Sequence, residues 1–190
     1  MSAKCNIRIN KYNKPSSSIP KSSESFVWKD THWKKIELRL NILQNKIYAA
    51  KKDQNIRKVR KLQRLILNSY DFKKLAVQKV TQLNRGKKTA GVDGISNFNE
   101  KQRVWLVDNL RITGKAHPVR RVMIPKPKGG HRPLGIPTMY DRALQALFVM
   151  ALEPEFEAIF EENSYGFRPG RSPIDAMKQI QLCLQQADRF

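Results

Sequence analysis

From residue 33 onward, apolar residues recur at helical spacing. Trp33, Ile36, Leu40, Leu43, Ile47 and Ala50 fall on one face, with Lys34, Lys35, Lys46 and Lys51 opposite. The pattern predicts a helix starting near Trp33 with Thr31 as its cap. A break near residues 53–55 leads to a second helix, lined on one side by Ile56, Val59, Leu62, Ile66 and Ser69. Phe72, Leu75, Ala76, Val80 and Leu83 predict a third, ending at Gly86 as a C-cap. A fourth is expected over 99–110, with Val104, Val107 and Leu110 inward.

The period then changes. Residues 119–124 and 132–137 are β-branched or apolar runs, joined by a loop at 125–131 that holds Gly129-Gly130. They predict an antiparallel hairpin. Thr138 and Asp141 have the spacing of a capping box, opening a buried helix with Leu144, Leu147, Phe148, Ala151 and Leu152 as core. Pro154 is expected to kink or end it, with Phe156, Ile159 and Phe160 continuing the apolar face. A last helix opens at Pro173 or Ile174 and carries Ile174, Met177, Ile180, Leu182 and Leu184. The fold class is therefore α+β, mostly helical, with one basic antiparallel hairpin packed with helices.

Charge sharpens this picture. The 190 residues carry a net charge of +21, and residues 1–132 hold 32 basic against 8 acidic side chains. Such a field attracts polyanions, nucleic acid first. The second helix crowds Arg57, Lys58, Arg60, Lys61 and Arg64 with no acid between Asp53 and Asp71. Mutual repulsion of that kind is tolerable where an external polyanion neutralises it, which marks Arg57, Lys58 and Lys61 as RNA-binding candidates. Glu153, Glu155, Glu157, Glu161 and Glu162 read as a solvated acidic face rather than a metal site. Residues 1–27 read as a flexible basic tail. No apolar run approaches membrane-spanning length. Cys5 and Cys183 are too few and too far apart for a metal site, and suggest buried or idle thiols in a reducing compartment.

Two ordered blocks carry a family resemblance. Residues 124–145 fit IPKPxGGxRPLGIPTxxDRxxQ, and residues 164–172 read SYGFRPGRS. Upstream, residues 43–70 and 75–94 read LQNKIYAAKKDQNIRKVRKLQRLILNSY and LAVQKVTQLNRGKKTAGVDG. Together these resemble the amino-terminal portion of the reverse transcriptases and maturases encoded by group II introns. The resemblance implies a helical amino-terminal extension over 28–112, then fingers and the start of an incomplete palm over 113–190.

It also implies roles. Arg120, Lys126 and Arg132, on the two strands of one hairpin, are nucleotide-binding by the family match. Lys87 and Lys88 lie in a loop of small residues that the family places near the template. Arg168 and Arg171, interleaved with Tyr165 and Phe167, would hold template or primer backbone while rings stack on bases. The family holds Mg²⁺ with aspartates of two later blocks, one a YADD turn. This sequence has no YxDD, and Asp141, Asp175 and Asp188 do not match those positions. The expectation is a truncated chain that binds group II intron RNA, holds no metal and does not polymerise alone. The alternative is a non-catalytic RNA-binding splicing helper. A separate palm, thumb or maturase polypeptide is a conceivable partner, and the setting is a bacterial cytoplasm or an organelle.

Overall fold

The computed structural model describes residue 28 and residues 31–187; the expected tail over 1–27, Cys5 and Asp188 lie outside the described residues. Helices α1 (Trp33–Lys52), α2 (Ile56–Asn68), α3 (Tyr70–Gln78) and α4 (Glu100–Asn109) precede strands β1 (Arg120–Pro125) and β2 (His131–Ile136). Helices α5 (Met139–Glu157) and α6 (Pro173–Ala187) follow. The fold is mostly helical α+β with one two-stranded antiparallel sheet.

The described chain forms two compact units. The first contains residues up to 38 and 68–148. Its buried side chains include Trp28, Ile36, Phe72, Val77, Leu106, Val107, Leu110, Met139, Ala143 and Leu147. Helix α4 begins with a reciprocal cap: Asn99 accepts from the Gln102 backbone, and the Gln102 side chain accepts from the Asn99 backbone. The end of α3 departs from the expected Gly86 cap. The chain passes into a π turn at Lys79–Leu83 and a 3-10 turn at Arg85–Lys88, so Gly86 lies within a turn and has no left-handed backbone. Thr31 does not cap α1 either, because its Oγ1 is buried without a hydrogen-bond partner.

The second unit contains 39–67 and residues from 149 onward. Leu40, Ile47, Ala50, Val59, Ile66, Met150, Ala151 and Ala158 are buried there. Pro154 does not end α5, which continues to Glu157. A proline cannot donate to the carbonyl four residues back. That carbonyl, on Met150, accepts from Gln44 Nε2 at 3.0 Å instead, which removes the penalty for an orphaned acceptor.

The acidic face also differs from expectation. Glu155 is buried; it accepts from Lys51 Nζ at 2.9 Å and from Gln63 Nε2 at 2.6 Å. Gln63 therefore takes the buried place on α2, while Ile56 is exposed. Glu157 is held by Arg168. Two of the five glutamates thus bind the unit together, and their partners keep both carboxyls below the usual range, Lys51 for Glu155 and Arg168 for Glu157. The apolar side chains Phe156, Ile159 and Phe160 are exposed, as are Ile174, Met177, Ile180, Leu182 and Leu184 on α6. Cys183 is an exposed free thiol, not a buried one.

Candidate nucleic-acid interface

The hairpin projects its basic residues from a largely exposed ribbon. Arg120 pairs with Ile136, Ile124 with Arg132, and Pro125 with His131. Directly opposed residues share a face, and faces alternate along a strand. Arg120 and Arg132 therefore lie on one face, with the Val122–Leu134 pair between them, while Arg121 and His131 lie on the other. The two arginines stand four residues apart along the ribbon, roughly 13 Å at strand rise. Lys126 is not on a strand. It opens the turn, where its N–H donates to Gly130 O at 2.9 Å and its carbonyl accepts from Gly129 N at 3.1 Å. Gly129 and Gly130 adopt φ of 86° and 78°, the region open to glycine at low cost. Among the described residues, Arg120, Lys126 and Arg132 have no ion-pair partner.

The root of the hairpin is held by the first turn of α5. Thr138 Oγ1 accepts from the Asp141 N–H at 3.2 Å and donates to Asp141 Oδ2 at 2.7 Å, which confirms the expected helix start. Asp141 also accepts from the His117 backbone at 3.3 Å and lies 3.1 Å from His117 Nδ1. Tyr140 Oη donates to Arg111 O at 2.9 Å. Arg142 donates from Nε to Pro137 O at 3.1 Å, from Nη1 to Gly86 O at 3.0 Å, and from Nη2 to Thr89 O at 2.8 Å. One short turn thus gathers the loop after α4, the foot of β2 and the lysine-bearing loop.

That lysine-bearing loop is pressed against the same turn. A Cβ on Gly91 would lie 2.7 Å from Thr138 Cα and 2.9 Å from Pro137 O, so only glycine allows the approach. Lys87 is half-buried and donates to Gln82 O at 2.8 Å, whereas Lys88 is exposed. Sequence spacing gave no sign of this division between neighbouring lysines.

In the second unit, α2 presents Arg57, Arg60, Lys61 and Arg64 around an open depression that Ile56 also lines. Arg57, Lys58, Lys61 and Arg64 have no ion-pair partner among the described residues, while Arg60 is 3.3 Å from Gln63 Oε1. Arg60 and Arg64 extend the expected set of Arg57, Lys58 and Lys61; their spacing from Arg57 was the available signal.

The loop 164–172 divides the roles expected of its arginines. Arg168 is buried, with Nε 3.0 Å from Glu157 Oε2 and Nη1 donating to Glu161 O and Ser164 O at 2.7 and 2.8 Å. Its guanidinium is fully engaged inside the unit, by the half-buried Glu157 carboxylate and two loop carbonyls. Arg171 donates to Glu162 O and stands over the Tyr165 ring at 5.3 Å. Phe167 is fully exposed with a left-handed φ of 58°, a conformation non-glycine residues rarely adopt. Ser172 and Asp175 then cap α6, with Ser172 N–H and Oγ donating to Asp175 Oδ2 at 2.8 and 2.7 Å.

Among the described residues, no group of three or more His, Cys, Asp or Glu could hold a metal ion. No described helix is long and apolar enough to cross a membrane.

Residues 28–110 match the family described as the N-terminal domain of reverse transcriptase. Residues 124–189 match the family described as reverse transcriptase (RNA-dependent DNA polymerase). Protein YkfC of Escherichia coli (strain K12) is 41% identical over 113 residues, 56% of this chain and 29% of that protein. Group II intron-encoded protein LtrA of Lactococcus lactis subsp. cremoris is 39% identical over 101 residues, 51% of this chain and 17% of LtrA. Maturase-like protein 1 of Euglena gracilis is 32% identical over 139 residues, 72% of this chain and 30% of that protein. The chain thus spans less than a third of the length of these relatives. The two consecutive matches and the intron-encoded relatives establish that the chain belongs to the group II intron reverse transcriptase and maturase family, matching its amino-terminal portion.

Proposed function

We propose that this chain binds group II intron RNA through the basic face of α2 and the hairpin. The observation that carries the reading is the row of cations on α2. Arg57, Lys58, Lys61 and Arg64 have no carboxylate partner among the described residues, although α2 lies beside a glutamate-bearing helix. Cations on one helix face repel one another, and phosphates relieve that repulsion. The neighbouring Ile56 gives the depression an apolar edge on which an unpaired base can rest. Arg120, Lys126 and Arg132 supply a second set of unpaired cations suited to the phosphates of a nucleotide or strand. In this reading the chain contributes RNA recognition, and templated DNA synthesis depends on catalytic blocks that this sequence does not contain.

The test is binding of the full chain to a group II intron RNA and to an unrelated structured RNA of equal length, over a salt titration. Reversing Arg57, Lys58 and Lys61 to glutamate should weaken intron RNA binding and reduce the log–log salt slope by about 3, near 0.9 per phosphate contact on a duplex and less on a single strand. Unchanged binding and slope would remove α2 from the interface. Templated primer extension by the pure chain with Mg²⁺ would refute the assignment of synthesis elsewhere.

A further inference from the structure

The motif Thr138-Met139-Tyr140-Asp141-Arg142 carries no exposed cation suited to RNA, yet it lies within the ordered block over 124–145. Arg142 explains its position. The guanidinium donates to three backbone carbonyls in three directions: Pro137 at the foot of β2, and Gly86 and Thr89 on either side of Lys87 and Lys88. Only a planar fork with five donors can serve three such acceptors at once; a lysine ammonium on a flexible stem has no comparable fixed geometry. Gly91 lets the loop backbone touch Pro137 and Thr138 directly. Arg120 starts β1 opposite Ile136, one residue before Pro137. Burial draws the Arg142 guanidinium below its usual range, with Asp93 opposing the shift and Arg120 adding to it. The exposed Lys88 and the hairpin cation Arg120 therefore belong to two segments that meet on Arg142.

We infer that Arg142 is a positioning residue for RNA binding: it fixes Lys88 and Arg120 relative to each other so that they engage neighbouring phosphates of one strand. Arg142 itself touches no ligand in this arrangement. The inference rests on the RNA-binding reading above and deepens it.

A double-mutant cycle on the full chain tests it, with intron RNA affinity and salt slope as readouts. Lys88→Ala should weaken binding severalfold and lower the slope by roughly one phosphate contact. Arg142→Gln should lower the slope although it removes no exposed cation. In the Arg142→Gln background, Lys88→Ala should have little further effect, because Lys88 is no longer held in place. Arg142→Lys should restore the charge without restoring the slope. Additive losses in the double variant, or full rescue by Arg142→Lys, would overturn the inference. Should Arg142→Gln fail to fold, Lys88→Ala still decides, since an unchanged slope would show that Lys88 is not presented to RNA. Reversal of the α2 cations serves as the reference. If it weakens binding while Lys88→Ala does not, the positioning role alone fails; if the unmodified chain does not bind, the RNA-binding reading itself fails.

Discussion

Replacing Glu155 by glutamine isolates the buried ion pair that joins three helices of the second unit. Glu155 Oε1 is 2.9 Å from Lys51 Nζ, and their side chains are 10% and 19% exposed. Oε2 accepts from Gln63 Nε2 at 2.6 Å, with Arg60 at 4.0 Å. The substitution keeps the shape and removes the charge. It weakens a charge-assisted bond to Lys51 and sets two amide groups against each other at Gln63. Turning the Gln63 amide would restore that bond but sacrifice the one from Arg60, at 3.3 Å. A hydrogen bond to a charged group is worth about 1.5–3 kcal/mol, and Lys51 can reach water, so the net loss is about 2 kcal/mol at neutral pH. For a chain of this size that corresponds to a fall in Tm of about 4–8 °C. The sign with pH is fixed by Lys51, which lowers the folded carboxyl below its usual range. The contribution is complete above the unfolded pKa of about 4.3 and disappears as pH falls through the lower folded value. Thermal unfolding followed by circular dichroism should therefore show a wide gap between parent and Glu155→Gln near pH 7 that narrows below about pH 4. A gap under about 0.5 kcal/mol at neutral pH, or one unchanged in acid, refutes the ion-pair account. Replacing both partners, Lys51→Met with Glu155→Leu, should be less damaging than Glu155→Gln, because no charge is left buried alone.

Two further stability changes test local devices. Gln44→Ala removes the donor that serves Met150 O across from Pro154, and should destabilise by about 1–2 kcal/mol in urea unfolding; in a Pro154→Ala background the helix can supply its own donor, so the loss should shrink, and an equal loss in both backgrounds would reject the substitution of one bond for another. Gly91→Ala places a Cβ 2.7 Å from Thr138 Cα, a backbone atom that cannot rotate away, and should cost about 1–3 kcal/mol with faster hydrogen exchange in the loop; a silent substitution would show that the loop does not sit against α5.

The unpaired cations give the protein its chemical character, and the engaged ones give it shape. Arg142 and Arg168 each bind backbone carbonyls, and Arg168 adds a carboxylate. Lys88 and Arg120, and the row Arg57, Lys58, Lys61 and Arg64 on α2, have no ion-pair partner among the described residues. Exposed apolar side chains on α6 and at Phe156, Ile159 and Phe160 lie in the unit that also carries α2. Surfaces of that kind favour association.

The local pattern by itself determined the helices, the hairpin and the start of α5, because these depend on residues close in sequence. The spacing of Ile36, Leu40, Ile47 and Ala50 was enough to place one buried face, and Thr138-x-x-Asp141 was enough to place one cap. The family was legible because two ordered blocks encode a local shape together with its chemistry. Only the tertiary structure decided which charged groups are available. Arg168 and Arg171 look alike in sequence, as do Lys87 and Lys88 and the five glutamates of 153–162. Their partners sort them: Arg168 is taken by Glu157 and Lys87 by Gln82 O, both nearby, and Glu155 by Lys51 and Gln63 far along the chain. Pro154 reads as a kink or an end of the helix until a side chain more than a hundred residues away takes over the lost hydrogen bond. Periodicity reports which face is apolar; it holds no information about which distant polar atom lies within 3 Å, and that distance decides whether a charge is part of the frame or part of the interface.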